Sequence, residues 1–226
     1  MTVEVNERRY ERTYSLTQLD ANRVLLTVKK VAKGIVSQLL TEIAQIGDVL
    51  EFGQPYGEML IPKNEQPLIL LAAGSGITPM YSLVKTLAEH GQLKHKSVQL
   101  MYWVKKHQDV AFKIRFEKIA EQHPNFKFNV FYTQESPTDA RLNDQYLDQI
   151  PELEKSTVYV CGPSGFVATA EQLFKNVQLF KSEAFSLTPM IADDTGFINV
   201  TLTQSNKVVS IAKGQSILAG LEQQNI

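Results

Sequence analysis

Cysteine is all but absent: Cys161 stands alone among 226 residues. One thiol builds neither an internal disulfide framework nor a cysteine metal cage. The scarcity suits a reducing compartment, and a cytoplasmic location is the expectation. Histidine is also scarce. His90, His95, His107 and His123 are scattered without metal-ligand spacing and read as surface residues, so no metal site is expected. No uninterrupted apolar run reaches the ~20 residues of a membrane-spanning helix, and the polar N-terminal stretch lacks a signal-peptide core. Neither sign of charge is in excess. The 23 basic and 24 acidic residues leave a net charge of -1, and no broad field favours nucleic acid or an anionic membrane. There is no Ser-His-Asp set, and Gly162-Pro163-Ser164-Gly165 is not a nucleophile elbow. Internal repeats and low-complexity tracts are missing too.

What is present is 43% hydrophobic residues, enough for one large core or two small ones. The pattern changes character twice. Residues 1 to about 62 read as strands with one short helix. Residues 24–28 (VLLTV) have strand composition, Val36, Leu39, Leu40 and Ile43 fall at helical spacing, and residues 49–52 alternate as a strand. From Pro67 strands alternate with helices. Strands are predicted at 68–73, 98–104, 126–132 and 157–161, with a short one at 183–185. Helices are predicted at 79–90, 111–122, 143–150 and from Gly165 to about 177. The unbroken apolar run at 68–73 indicates a strand buried on both faces, and the alternation indicates a parallel sheet covered on both sides. Near 188–196, Pro189 and Asp193-Asp194-Thr195-Gly196 read as a linker. A hairpin (198–202 and 208–211) and a helix start at Ile217, Leu218 and Leu221 follow. Some thirty residues cannot bury a core alone, so this end reads as the beginning of a longer module.

The sharpest chemical signal is LILLAAGSGITPM. A buried strand runs into Gly74-Ser75-Gly76 and a helix opens at Thr78-Pro79. Glycine lets backbone N–H groups approach a pyrophosphate, and the helix N-terminus adds a positive dipole. Pro79 suits the first helical position, where its missing N–H costs nothing. An ordinary tight turn is the competing reading of a bare Gly-x-Gly. A second loop, VYVCGPSGF, also ends an apolar strand and opens a helix, which places both loops on the ligand-binding edge of an open parallel sheet. Cys161 either faces that ligand or is a small buried hydrophobe.

The order RTYSL, GIVSQLL, AAGSGITPM and YVCGPSGF resembles the ferredoxin–NADP reductase family over residues 12 to 188. The resemblance implies a partial antiparallel flavin-binding β-barrel (1–62), then an α/β nucleotide-binding domain (63–188). Residues 189–226 are similar to the opening of a plant-type [2Fe–2S] ferredoxin of β-grasp fold, behind a linker. It implies FAD as cofactor and NAD(P)H as hydride donor. Electrons would pass to a ferredoxin domain or iron–sulfur protein serving an oxygenase or fatty-acid desaturase. By resemblance, Arg12 pairs with a flavin phosphate, Thr13 and Tyr14 lie along the flavin, and Ser15 hydrogen-bonds near its N5. Thr27, Val28 and Lys29 run alongside, and Gly34, Ile35, Val36 and Ser37 offer donors to the pyrophosphate. Gly74, Gly76, Thr78 and Pro79 hold the nicotinamide side. Cys161, Gly162 and Pro163 border the nicotinamide where it meets the flavin, so Ser15 and Cys161 are the candidate catalytic residues. Taken singly, Arg12 reads equally as a solvated arginine, Tyr14 as barrel core, Gly34 as a turn and Ser37 as a helix cap.

Lys105 and Lys106 follow the second α/β strand, where the adenosine ribose is expected. Two lysines without a carboxylate favour a 2′-phosphate and hence NADP(H) over NAD(H); an exposed charged turn is the other reading. Arg141 is a further phosphate candidate. Ala140 stands where the family carries glycine. Only eleven residues precede Arg12, and the ferredoxin-like end holds none of the four thiolates a cluster needs. The chain is therefore expected to be an internal piece of a longer reductase, unable to hold a cluster itself. The alternative is a dinucleotide-binding module that retains no flavin.

Overall fold

The computed structural model describes residues 1–5, 7–135, 140–186, 196–213 and 217–224. The linker expected near 188–196 lies, but for Gly196, outside them. The chain forms two compact units, Met1–Ser186 and Leu187–Ile226.

The first unit opens with two antiparallel hairpins. β1 (Thr2–Val5) pairs with β2 (Arg8–Glu11), and β3 (Leu16–Gln18) pairs with β4 (Val24–Leu26). A one-turn helix, α1 (Ile35–Gln38), runs into a wider π-type turn over Leu39–Ile43. The regular helix predicted from Val36 to Ile43 therefore does not form. The Thr41 hydroxyl bonds back to the Ser37 carbonyl at 2.7 Å, and Ile43 and Ile46 have no core to pack against. The strand predicted at 49–52 reduces to one bridge between Glu51 and Thr2. Val49 is 93% exposed, and alternation without a sheet to cover it does not make a strand.

The α/β part is a five-stranded all-parallel sheet in the order β7-β6-β5-β8-β9. Its strands are β5 (Leu68–Ala73), β6 (Val98–Val104), β7 (Phe126–Tyr132), β8 (Thr157–Gly162) and β9 (Leu179–Ala184). The helices are α2 (Ile77–Glu89), α3 (Lys113–Gln122) and α4 (Ser164–Leu173). Along β5, Leu68, Leu70 and Ala72 join one core with Met80, Val84, Tyr102, Phe116 and Tyr159. Ile69, Leu71 and Ala73 join the opposite core with Met101, Trp103, Val160, Val167 and Phe174. Full burial of one such aliphatic side chain contributes roughly 1.5–3 kcal/mol, which is why an unbroken apolar run reads as a central strand. Helix α2 starts at Ile77, so Pro79 is its third residue and not its first. It remains within the first turn, where N–H groups have no intrahelical acceptor. The helix predicted at 143–150 is a short 3₁₀ segment, Asp144–Gln149, capped by the Asn143 side chain accepting from the Gln145 N–H at 3.0 Å.

The chain runs outward from β5 through β6 to β7, then returns to β8 on the other side of β5. The connection reverses between β5 and β8, and such a switch point opens a crevice at the carboxyl ends of the strands. In the second unit, β10 (Phe197–Leu202) and β11 (Lys207–Ala212) form a hairpin, followed by α5 (Ile217–Gln223). A Cβ at Gly220 would lie 2.5 Å from the Ile211 side chain, so α5 packs directly on β11.

Candidate functional site

A cavity of about 750 Å³ opens at the carboxyl ends of β5 and β6. Its floor is the turn Gly74–Gly76, which leaves β5 and enters α2. Gly74 holds φ +55°, a left-handed geometry that costs glycine little. Two groups pin the turn. The Tyr102 hydroxyl donates to the Gly74 carbonyl at 3.0 Å, and the Thr78 hydroxyl donates to the Ser75 carbonyl at 3.1 Å. Burial pushes the Tyr102 hydroxyl up to about 12, so it stays a donor at ordinary pH. Gly76 faces the second loop rather than the cavity. A Cβ there would lie 2.0 Å from the Cys161 carbonyl oxygen.

The second loop is braced from β9. The Phe185 N–H donates to the Gly162 carbonyl at 2.9 Å, and the Ser164 N–H donates to the Ser186 hydroxyl at 3.0 Å. Pro163 reaches the cavity wall. Cys161 does not. It is fully buried in the core that contains Tyr159 and Met80, and burial, with the Glu183 charge nearby, drives its thiol far up. Of the two readings of Cys161, ligand-facing residue or small buried hydrophobe, its side chain fits the second: strand alternation turns it into the core. Glu183, its register partner on β9, is half-buried, and desolvation raises its carboxyl above the ordinary value.

Charged side chains stand around the cavity. Lys29, Lys105 and Arg141 line it, and so does Asp109. Asp109 accepts the Lys106 N–H at 3.1 Å, and Glu135 accepts the His107 N–H at 2.8 Å. A carboxylate therefore does stand at the turn where sequence reading found only lysines, three residues on from Lys106. Lys106 itself is exposed and outside the wall.

Thr27, Val28 and Lys29, from the connection after β4, line the same cavity as Gly74, Thr78, Lys105 and Pro163. The other flavin candidates lie apart from it. Arg12 is exposed, with Nη1 donating to the Glu11 carbonyl at 2.7 Å, and Thr13 shares a 2.8 Å hydrogen bond with the Tyr56 hydroxyl. Tyr14 is part-buried, and desolvation raises its hydroxyl despite the Arg12 charge. Ser15 is part-buried beside it. In the 34–37 turn, the buried Ser37 hydroxyl donates to the Gly34 carbonyl and accepts the Val31 N–H, both at 3.1 Å. The Ser37 hydroxyl expected to donate to a pyrophosphate is thus already committed within the turn. A Cβ on Gly34 would strike the Ser37 Oγ at 2.5 Å.

Sequence reading missed Trp103, Asp109, Thr133 and Phe166 in the cavity wall. Asp109 had a usable signal in its spacing from Lys106, because an acid at the third position of a short helical turn caps the preceding N–H. Among the described residues no group of three or more His, Cys, Asp or Glu could hold a metal. With one buried cysteine, the residues present do not fit an iron–sulfur cluster.

A crevice at a switch point, floored by the Gly74–Gly76 turn, edged by Pro163 and walled by a preceding β segment, is the arrangement in which open α/β sheets bind dinucleotides. The comparisons carry this to a family. Residues 1–61 match the oxidoreductase FAD-binding domain and residues 70–172 the oxidoreductase NAD-binding domain. The two matched segments are FAD- and NAD-binding oxidoreductase domains, as found in the ferredoxin reductase family. It is 30% identical over 193 residues to a flavohemoprotein of Deinococcus radiodurans, covering 80% of this chain and 47% of that one. It is 29% identical to the NADH oxidoreductase HCR of Escherichia coli K12, covering 95% of this chain and 65% of that one. The chain thus spans about half to two thirds of these relatives' lengths. Among solved structures, phthalate dioxygenase reductase, described as modular for electron transfer from pyridine nucleotides to [2Fe–2S], aligns with TM-score 0.68 and 26% identity. That alignment covers all of this chain and 68% of the reductase. No helix of the described residues is long and apolar enough to cross a membrane.

Proposed function

We propose that the chain oxidises a reduced nicotinamide dinucleotide at this cavity and passes the electrons through FAD held by residues 1–62 to an iron–sulfur acceptor. The observation that carries the reading is one shared wall. Thr27, Val28 and Lys29 of the FAD-matching segment line the same cavity as Gly74, Thr78 and Pro163 of the NAD-matching segment. A nicotinamide held there abuts the flavin side. The turn Gly74–Gly76 presents backbone N–H groups to the pyrophosphate, and the α2 dipole reinforces them. Bound flavin supplies the acceptor for the hydride and the ability to release electrons one at a time. The protein's part is orientation and charge, so no acid–base pair is required.

Lys105 lines the cavity at the turn after β6, where the adenosine ribose is expected, and supports NADP(H) over NAD(H); Asp109 in the same turn weighs the other way. The resemblance to phthalate dioxygenase reductase supports a ferredoxin domain or iron–sulfur protein as acceptor, serving an oxygenase; a fatty-acid desaturase is the other consumer of this class. A cytoplasmic setting belongs to the same reading, in keeping with a chain that carries one cysteine and can form no internal disulfide.

The test is reconstitution of the purified chain with FAD, followed by NADPH oxidation with ferricyanide as acceptor. Retained flavin bands and turnover are expected. A colourless, inactive protein sinks the reading. One observation favours a second reading, a dinucleotide-binding module without flavin: β1–β2 and β3–β4 form separate two-stranded sheets, not one closed barrel. A nucleotide titration of the colourless protein would then still saturate.

A further inference from the structure

Trp103 is the single tryptophan of the chain. It stands one residue before the end of β6, in register with Ala73, the residue that precedes the glycine turn. Only 3% of its surface is exposed, yet it contributes to the cavity wall. Aromatic rings fix it on several sides. Phe131 stacks at 4.8 Å, Tyr146 meets it edge-on at 5.3 Å, and Phe166 leans across at 5.3 Å and 54°.

These neighbours satisfy the ring and leave its N–H alone. Phe131 and Phe166 carry no acceptor, and the Tyr146 hydroxyl donates to the Ala140 carbonyl at 3.2 Å. The Trp103 Nε1 is sealed from solvent and has no hydrogen-bond partner among the described residues. An indole N–H is a donor only, and buried donors in native proteins nearly always find an acceptor. An orphan donor in the wall of a ligand cavity calls for an acceptor brought by the ligand. The cavity side is also the side that can yield, because Phe166 is the one ring neighbour that lines the cavity itself, and it is tilted across the indole rather than packed flat.

The location selects the part of the ligand. Trp103 flanks the phosphate turn on the β6 side, with Arg141 and Thr133 in the same wall. We propose that Trp103 is a nucleotide-binding residue whose Nε1–H donates to an oxygen of the ribose–phosphate in the adenosine half of the dinucleotide, once Phe166 moves aside. This rests on the dinucleotide reading above.

A single tryptophan gives a single indole N–H peak in a ¹H–¹⁵N correlation spectrum of the FAD-reconstituted full chain. Titration with NADP⁺ and with adenosine 2′,5′-bisphosphate should move that peak downfield; nicotinamide mononucleotide should not. Trp103→Phe keeps a ring and removes the N–H. It should weaken both adenosine ligands about tenfold, equivalent to about 1.4 kcal/mol, and leave nicotinamide mononucleotide unaffected. If the Gly74 and Gly76 amide peaks shift while the indole peak stays, the dinucleotide reading stands and Trp103 is purely structural. An equal loss for all three ligands overturns the proposal in the same way. If no peak moves at saturating NADP⁺, the dinucleotide reading and this proposal fall together.

Discussion

Gly76 and Cys161 meet backbone to backbone: a Cβ on Gly76 would lie 2.0 Å from the Cys161 carbonyl oxygen, 2.4 Å from its carbon and 2.8 Å from the Gly162 nitrogen. The two glycine loops are therefore one unit. The first cannot take its place unless position 76 is bare of a side chain.

Gly76→Ala should force the loops apart. Overpacking of this kind costs about 1–3 kcal/mol, or a fall in Tm of about 2–4 °C per kcal/mol for a chain of this size, with weakened nucleotide binding. Gly165→Ala is the matched control. Nothing lies within 4 Å of its Cβ, and alanine within helix α4 is favoured by roughly 0.5–1 kcal/mol. Thermal unfolding of the two variants separates them; equal melting temperatures would contradict the close approach.

Cys161 should be inert in the folded protein. Its thiol is buried and held protonated well above its ordinary 9.0, and the thiolate is the reactive form. A disulfide reagent at pH 8 should release no chromophore from native protein and one equivalent in urea. The same shift links to stability. The unfolded chain loses this proton first, so the contribution is full below pH 9 and declines as pH rises beyond it. Stoichiometric labelling of the native protein would refute the burial.

Tyr159→Phe tests how the end of the FAD-matching segment is held against the sheet. The Tyr159 hydroxyl donates to the Leu60 carbonyl at 2.8 Å, and Lys181 Nζ, from the next strand, donates to the Glu58 carbonyl at 2.9 Å. Loss of the hydroxyl should cost about 1 kcal/mol and lower Tm by about 2–4 °C. Hydrogen exchange should quicken at Leu60 and Ile61 and stay unchanged in β6. Unaltered exchange at Leu60 and Ile61 would show that these bonds do not hold the segment.

Lys105→Glu combined with Lys106→Glu should reduce kcat/KM for NADPH about tenfold or more while changing NADH less, because a 2′-phosphate feels the reversed charge and a 2′-hydroxyl does not. Lys105 lines the cavity and Lys106 does not, so the single Lys105→Glu change should carry most of the effect. Equal effects on both nucleotides would rule out a 2′-phosphate contact.

The central strands were legible because their burial is written into composition. Leu68–Ala73 and Val98–Val104 lie inside the sheet, and apolar residues dominate there, with Gln99 the one buried amide. The edge strand Leu179–Ala184 was read as three residues, since an edge tolerates Lys181, Ser182 and Glu183 and so hides its pattern. The Thr2–Val5 and Arg8–Glu11 hairpin was obscured by its charges for the same reason. Phe112 falls within the helix predicted at 111–122 because its spacing from Phe116 and Ile119 is helical. It stacks on Tyr81 at 4.2 Å from a left-handed φ of 60°, just ahead of α3.

By itself, the amino-acid sequence determined the parallel α/β architecture and the two glycine turns, because buried strands must be apolar and a tight turn packed against a neighbouring backbone must be bare. Tertiary structure alone decided which residues share the cavity. Asp109 and Lys105 are brought to one rim, Trp103 and Phe166 to one wall, and Cys161 is turned into the core. Those outcomes depend on strand register, on which face each residue takes and on contacts between segments far apart in the chain, none of which local composition encodes.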